Sequence, residues 1–276
     1  MRQIMTGTES LTAIYMPGTT IAAMSFAMLV SVLVPVLAFI FFRKKNPDAK
    51  KTAVLVGALT FIISALVLEK LLHAAVFKAF GTALNANIWL YALYGGLAAA
   101  VFEETGRLLA MKYAMKGRLD KLNSVMYGIG HGGIESVIIA GLSYLSLILV
   151  AVYLNNAPAE KISVLMAKSP ALFQQIQAIA AVPAFTLYLS GIERIAAFAL
   201  QVALSYLVYR AVVEKKTKLF LTALGLHFFV DASAVVMAKY APAYITELYL
   251  LSAVSTVSYY AFRKYTGEKN MNTHKS

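Results

Sequence analysis

The sequence predicts an all-α, polytopic transmembrane helix bundle of about seven spans, with the N-terminus outside and the C-terminus cytoplasmic. Three observations carry that expectation. Of 276 residues, 60% are hydrophobic and 14% charged, whereas soluble domains run at roughly 45–50% and 25%. Apolar runs recur that are long enough to cross a bilayer core, which takes about 20 residues of helix. Basic residues fall in alternate gaps between those runs, the pattern of cytoplasmic loops.

Taken in order, the spans are expected at roughly 18–42, 52–77, 87–113, 122–154, 186–212, 218–240 and 243–263. The first is too long for a signal-peptide core and no basic segment leads into it, so it reads as a retained span. The second carries Glu69, Lys70 and His73 toward its outer end, placed at the interface. The third opens with Trp89, Tyr91 and Tyr94, which suit an interfacial aromatic belt, as do Tyr259 and Tyr260 near the end of the seventh. The fourth is overlong and is expected to tilt or project from the bilayer. The longest loop, 155–185, contains 170-PALFQQIQAIAAV-182, which reads as an interfacial helix. The whole chain, 1–276, reads as a single integral membrane domain, with a motif-bearing core at about 87–240 and a flexible cytoplasmic tail over 265–276.

The net charge of +12 would suit a nucleic-acid binder, but its distribution argues otherwise. Arg43, Lys44, Lys45, Lys50 and Lys51 fill one loop, and Lys112, Lys116, Arg118 and Lys121 a second. Arg210, Lys215, Lys216 and Lys218 fill a third, and Arg263, Lys264, Lys269 and Lys275 the tail. The opposite side has Arg2, Lys78, Lys161, Lys168 and Lys239. This asymmetry places the first set in the cytoplasm. The surroundings are then the lipid bilayer of a cell membrane, with no nucleic-acid partner. The chain has no cysteine, which excludes disulfides, thiolate nucleophiles and cysteine metal sites.

Within this apolar frame, 101-VFEETGRLLA-110 holds two glutamates and an arginine. Glu135, Glu193, Arg194, Asp231, His131 and His227 also lie within spans. A charge at the centre of a membrane helix costs about 2.5–3.5 kcal/mol, so such groups must face one another or water. Glu103, His131 and His227 each stand nine residues from the cytoplasmic end of their spans, roughly 13 Å deep at about 1.5 Å per residue. Glu103 and Arg107, His131 and Glu135, and His227 and Asp231 are spaced i, i+4 and share helix faces. Gly128 and Gly132 form a small-xxx-small pair that admits a neighbouring backbone. As a nucleotide loop, 128-GIGHGG-133 lacks the preceding strand. A Ser-His-Asp site is disfavoured because Ser136 is off the His131 edge.

A carboxylate and imidazoles around water in a low-dielectric cavity make a hydrolytic arrangement. The carboxylate can take a proton from water, and the remaining groups can orient that water or stabilise an oxyanion. Glu103-Glu104 followed by Arg107, Tyr127-xxx-His131, and His227-xxx-Asp231 resemble the motifs of the CAAX-processing and bacteriocin-processing (CPBP) glutamyl intramembrane proteases, specifically their YhfC-like branch. The resemblance covers about residues 95–240. It implies that Glu103 activates water with help from Glu104, that Arg107 anchors the pair, and that His131, His227 and Asp231 assist. Two departures matter: the broad family has three residues between its second glutamate and arginine where this chain has two, and Glu193-Arg194 lies outside the broad motif set. Tyr127, Glu135, Glu193 and Arg194 are expected to support the site, the last two as an ion pair or as lining.

Three functions are therefore weighed. The leading one is an endopeptidase acting on membrane-embedded or membrane-associated peptides without a cofactor. An alternative adds zinc, with His131, His227 and Asp231 as ligands; HExxH is absent. Another is a proton- or ion-coupled transporter, for which no inverted repeat is visible. The depth argument further expects the site to open toward the cytoplasmic half of the membrane.

Overall fold

The structure, a computed structural model, describes residues 15–267. Every regular element among these residues is helical. Helix α1 spans Gly18–Lys45. α2, Lys51–Phe61, runs through a π-helical stretch, Ile62–Glu69, into α3, Lys70–Ala86. α4, Ile88–Leu109, ends in a π-helical turn, Ala110–Ala114. α5, Lys121–Glu135, passes through the π-helical Ser136–Gly141 into α6, Leu142–Asn156. Two short helices follow, α7 (Ala159–Lys168) and α8 (Pro170–Ala180). Long helices α9 (Ala184–Val213), α10 (Thr217–Tyr240) and α11 (Ala243–Gly267) complete the bundle.

Among the described residues, five helical segments are long and apolar enough to cross a membrane: Gly18–Lys45, Lys51–Ala86, Lys121–Asn156, Ala184–Val213 and Thr217–Tyr240. The chain is a multi-pass membrane protein. The third and seventh expected spans coincide with α4 and α11. α4 carries Glu103, Glu104 and Arg107, which lower its apolar character, and it packs between α10 and the π-helical stretch after α2. α11 lies along α9. The fourth expected span is one helical run, Lys121–Asn156, whose winding changes over the π-helical Ser136–Gly141. α8 coincides with the expected interfacial helix, whereas α7 is an element the sequence pattern did not signal. The expected tail at 265–276 is helical through Gly267, and its remainder lies outside the described residues, as do Arg2, Lys269 and Lys275.

Local chemistry fixes how the site-bearing helices begin. Asn87 caps α4 by accepting from the backbone N–H groups of Trp89 (3.0 Å) and Leu90 (3.2 Å). Asp120 caps α5 by accepting from Asn123 N–H at 2.8 Å. The Asn123 side chain in turn accepts from the Lys50 N–H at 2.6 Å. The starts of α2 and α5 are thereby tied together.

Glycines let these helices approach. A Cβ on Gly57 would fall 2.9 Å from the His131 backbone nitrogen, and one on Gly130 2.7 Å from Val54 Cα. α2 and α5 therefore touch backbone to backbone. Gly128 and Gly132, the expected small-xxx-small pair, face α9 instead: added Cβ atoms would lie 2.8 Å from Val202 Cα and 2.7 Å from Gln201 Cβ. α5 is thus pressed between α2 and α9.

Two apolar clusters divide the bundle. The larger includes Met111, Met126, Tyr127, Leu204, Leu207, Val230 and Leu250 and packs α5, α9, α10 and α11 together. The smaller packs Met16 and Met24 against Leu147, Leu154, Ile162 and Ile176, and so seats α7 and α8 across α1 and α6. Glu69 is buried and pairs with His73 Nε2 at 3.1 Å, while His73 Nδ1 lies 2.7 Å from the Tyr94 hydroxyl. The cause is the π-helical winding over Ile62–Glu69, which turns Glu69 inward against α4.

Candidate functional site

α4 lies against α10 and also packs on α2 and α9. Successive residues on a helix diverge by roughly a quarter-turn, so its two adjacent glutamates serve different neighbours. The Glu103 carboxylate meets α5, where its Oε2 lies 2.9 Å from His131 Nε2. Glu104 meets α10, where its Oε1 lies 2.8 Å from His227 Nδ1. Glu103, Glu104, Arg107, His131 and His227 are all buried.

Arg107 resolves the altered motif spacing. Its Nη1 donates to Glu104 Oε1 at 2.6 Å, and its Nη2 stands 4.0 Å from Glu103 Oε2. Between Arg107 and Glu103 sits Gln201 of α9. The Gln201 carbonyl accepts from Arg107 Nη2, and its amide donates to Glu103 Oε2 at 3.1 Å. A guanidinium against two carboxylates offsets charge that would otherwise be stranded in an apolar interior.

The histidines have different surroundings. His131 is held between Tyr127, stacked at 6.0 Å, and Phe61, edge-on at 5.3 Å. Its Nδ1 is buried with no hydrogen-bond partner among the described residues. His227 lies between two carboxylates, since its Nε2 is 3.3 Å from Asp231 Oδ2 while Nδ1 faces Glu104. Carboxylates only accept hydrogen bonds, so the form of His227 that donates from both nitrogens satisfies both.

A cavity of about 130 Å³ opens beside these groups. It is lined by Glu103 of α4, Glu135 of α5, Glu193, Arg194 and Gln201 of α9, and His227 and Asp231 of α10. Leu250 and Val254 of α11 form an apolar wall. From Glu103 the lining rises toward the start of α9, the end of α10 and the start of α11. The opposite direction is plugged by Met111, Met126, Tyr127, Leu204 and Leu207, all buried. The lining thus extends from Glu103 away from the lysine-rich loops. Depth counting placed the polar groups but carried no information on which side the apolar packing closes.

Glu193 and Arg194 form an ion pair and line this same cavity, rather than lying apart from it. Among the described residues, Glu103, His131 and Glu135 offer donor atoms all within 4.8 Å of one another. His227 and Asp231 are not part of that group. The ligand set expected for zinc, His131 with His227 and Asp231, is thus not the one brought together, because both His227 nitrogens face carboxylates. Sequence reasoning missed Gln201 and Phe61. Gln201 left only one signal, an amide in the apolar run 196-AAFALQVALS-205.

A family-wide sequence profile, described as that of the YhfC intramembrane metalloproteases, matches residues 30–264. The membrane protein YhfC of Bacillus subtilis (strain 168) is 33% identical over 213 residues, which cover 76% of this chain and 82% of that protein. No solved structure matches. The matched region contains every residue that lines the cavity, and on this evidence the chain belongs to the YhfC intramembrane metalloprotease family.

Proposed function

We propose that this intramembrane protease hydrolyses peptide bonds with a water activated by Glu103, the mechanism of the glutamyl CPBP branch. One observation carries the reading: a carboxylate oxygen 2.9 Å from an imidazole nitrogen, both buried, at the edge of a cavity large enough for water. Glu103 takes a proton from that water as its oxygen attacks the scissile carbonyl carbon, and returns the proton to the leaving amine. His131, clamped by Phe61 and Tyr127, holds the carboxylate in place. His227, which lines the cavity with its two nitrogens facing Glu104 and Asp231, stabilises the developing oxyanion through the charge it places beside the cavity, not through a direct hydrogen bond. Arg107 balances the two glutamates. The substrate is a polypeptide segment within the membrane, reaching the site along the lysine-poor side of the cavity.

The family description also calls for a metal. The residues fit one by their chemistry: two carboxylates and an imidazole are suitable zinc donors, and His131 Nδ1 and Glu135 Oε2 are buried with no protein partner. Glu103, His131 and Glu135 would hold the ion, which would supply Lewis acidity and a more acidic water. Metal content of the purified full chain, measured beside peptide cleavage, separates the readings. Full activity in a metal-free preparation supports Glu103 as base. A stoichiometric metal lost in both His131→Ala and Glu135→Gln, with activity lost on chelation and regained on metal return, would establish the three-donor centre instead.

A further inference from the structure

We infer that Gln201 is a positioning residue for the proposed hydrolysis, one that fixes the Glu103 carboxylate and separates it from Arg107. The inference rests on the protease reading above and adds a residue to it. Gln201 is buried in the middle of α9. Its amide uses both ends: the carbonyl accepts from Arg107 and the NH₂ donates to Glu103 Oε2 at 3.1 Å. That same oxygen faces His131 at 2.9 Å. Glu103 Oε2 is therefore held by two groups from two helices, α5 and α9.

The inserted amide also explains a distance. Arg107 bonds Glu104 directly at 2.6 Å but stays 4.0 Å from Glu103. A bidentate arginine clamp would engage the Glu103 lone pairs and reduce its capacity to accept a proton. An amide gives a weaker, neutral hydrogen bond and keeps the guanidinium away. An amide suits both neighbours, because it carries an acceptor for the guanidinium, a pure donor, and a donor for the carboxylate, a pure acceptor. Room for the side chain comes from Gly132, where a Cβ would lie 2.7 Å from Gln201 Cβ. Gln201 also lines the cavity, so its amide borders the space where a substrate would sit.

Two substitutions separate positioning from mere bracing. Gln201→Met keeps length and apolar volume but loses both hydrogen bonds. Gln201→Glu keeps the acceptor for Arg107 and loses the donor to Glu103. With a fluorogenic peptide containing one membrane-length apolar segment, both variants should lose about 100-fold in kcat, with KM within a few-fold of wild type. A role limited to bracing Arg107 would instead leave Gln201→Glu near wild type, and that result overturns the inference. So does wild-type kcat in Gln201→Met.

Infrared spectra of the purified chain, differenced against Glu103→Gln, report the Glu103 carboxylate without relying on that peptide. Gln201→Met should shift its stretching band, and an unmoved band refutes the inference. Melting temperatures in the same detergent identify unfolded variants, for which Gln201→Glu supplies the second comparison. If Glu103→Gln itself cleaves normally, the protease reading fails. If Glu103→Gln is inactive while both Gln201 variants are active, only the positioning role fails.

Discussion

Replacing Gly57 with alanine puts a methyl group where α2 and α5 meet through their backbones. The new Cβ would sit 2.9 Å from the His131 backbone nitrogen, about half an ångström inside the 3.4 Å where ordinary contact begins, and closer still to the Tyr127 carbonyl. Neither obstacle is a side-chain tip that can rotate away, so the helices must separate. Overpacking of this kind costs about 1–3 kcal/mol, and the better helix propensity of alanine recovers about 0.5–1 kcal/mol. A net loss of about 1–2 kcal/mol is expected. The separation acts on His131 itself, lengthening its 2.9 Å contact with Glu103, and misplacement approaching 1 Å can cost about 100-fold in rate. The control is Gly225→Ala in α10, where an added Cβ meets nothing within 4 Å; it should be neutral or slightly stabilising. Both variants are assayed by reversible unfolding in mixed detergent and by peptide cleavage. A Gly57→Ala protein as stable and active as Gly225→Ala would refute the backbone contact between α2 and α5.

Other perturbations read other parts of the site. Arg107→Met removes the guanidinium from the fully buried Glu104, leaving His227 as its partner, and should destabilise the chain by about 3 kcal/mol; adding Glu104→Gln should restore much of the stability, as measured by the same unfolding. Asp231→Asn weakens the orientation of His227 at 3.3 Å and should lower kcat about tenfold while leaving the fold intact, by the usual scale for orienting partners. Because the chain has no cysteine, single cysteines report access cleanly. Ala234→Cys, in the cavity lining, should react with polar thiol reagents from the lysine-poor side only, whereas Met126→Cys, in the buried plug, should stay unreactive. Labelling of Ala234→Cys solely from the lysine-rich side would reverse the access route.

Helix periodicity and the cost of buried charge made much of the architecture legible. Counting residues from the lysine-rich loops put Glu103, His131 and His227 at one depth, and the structure brings Glu103 to His131 and Glu104 to His227. Which glutamate meets which histidine was not legible, because it depends on the order of helices around α4. Gln201 escaped notice because the search followed charge, and an uncharged amide, although it also demands hydrogen-bond partners when buried, carries none. The 128-GIGHGG-133 run was read for a single close neighbour, yet Gly130 serves α2 while Gly128 and Gly132 serve α9. The direction of the cavity was hidden for another reason: a void is set by the side chains that fill the rest. Tyr127, Met111 and Met126 close one side, and no periodicity marks that. The inward turn of Glu69 depends on a π-helical winding that a regular helical count does not contain.

The central claim, that Glu103 generates the attacking nucleophile, is tested most directly by cleavage in ¹⁸O-labelled water with wild type and Glu103→Gln prepared identically. The account expects wild type to place solvent oxygen in the new carboxyl terminus and Glu103→Gln, folded and with the same melting temperature, to release no product. Product formed at the wild-type rate by Glu103→Gln would contradict it.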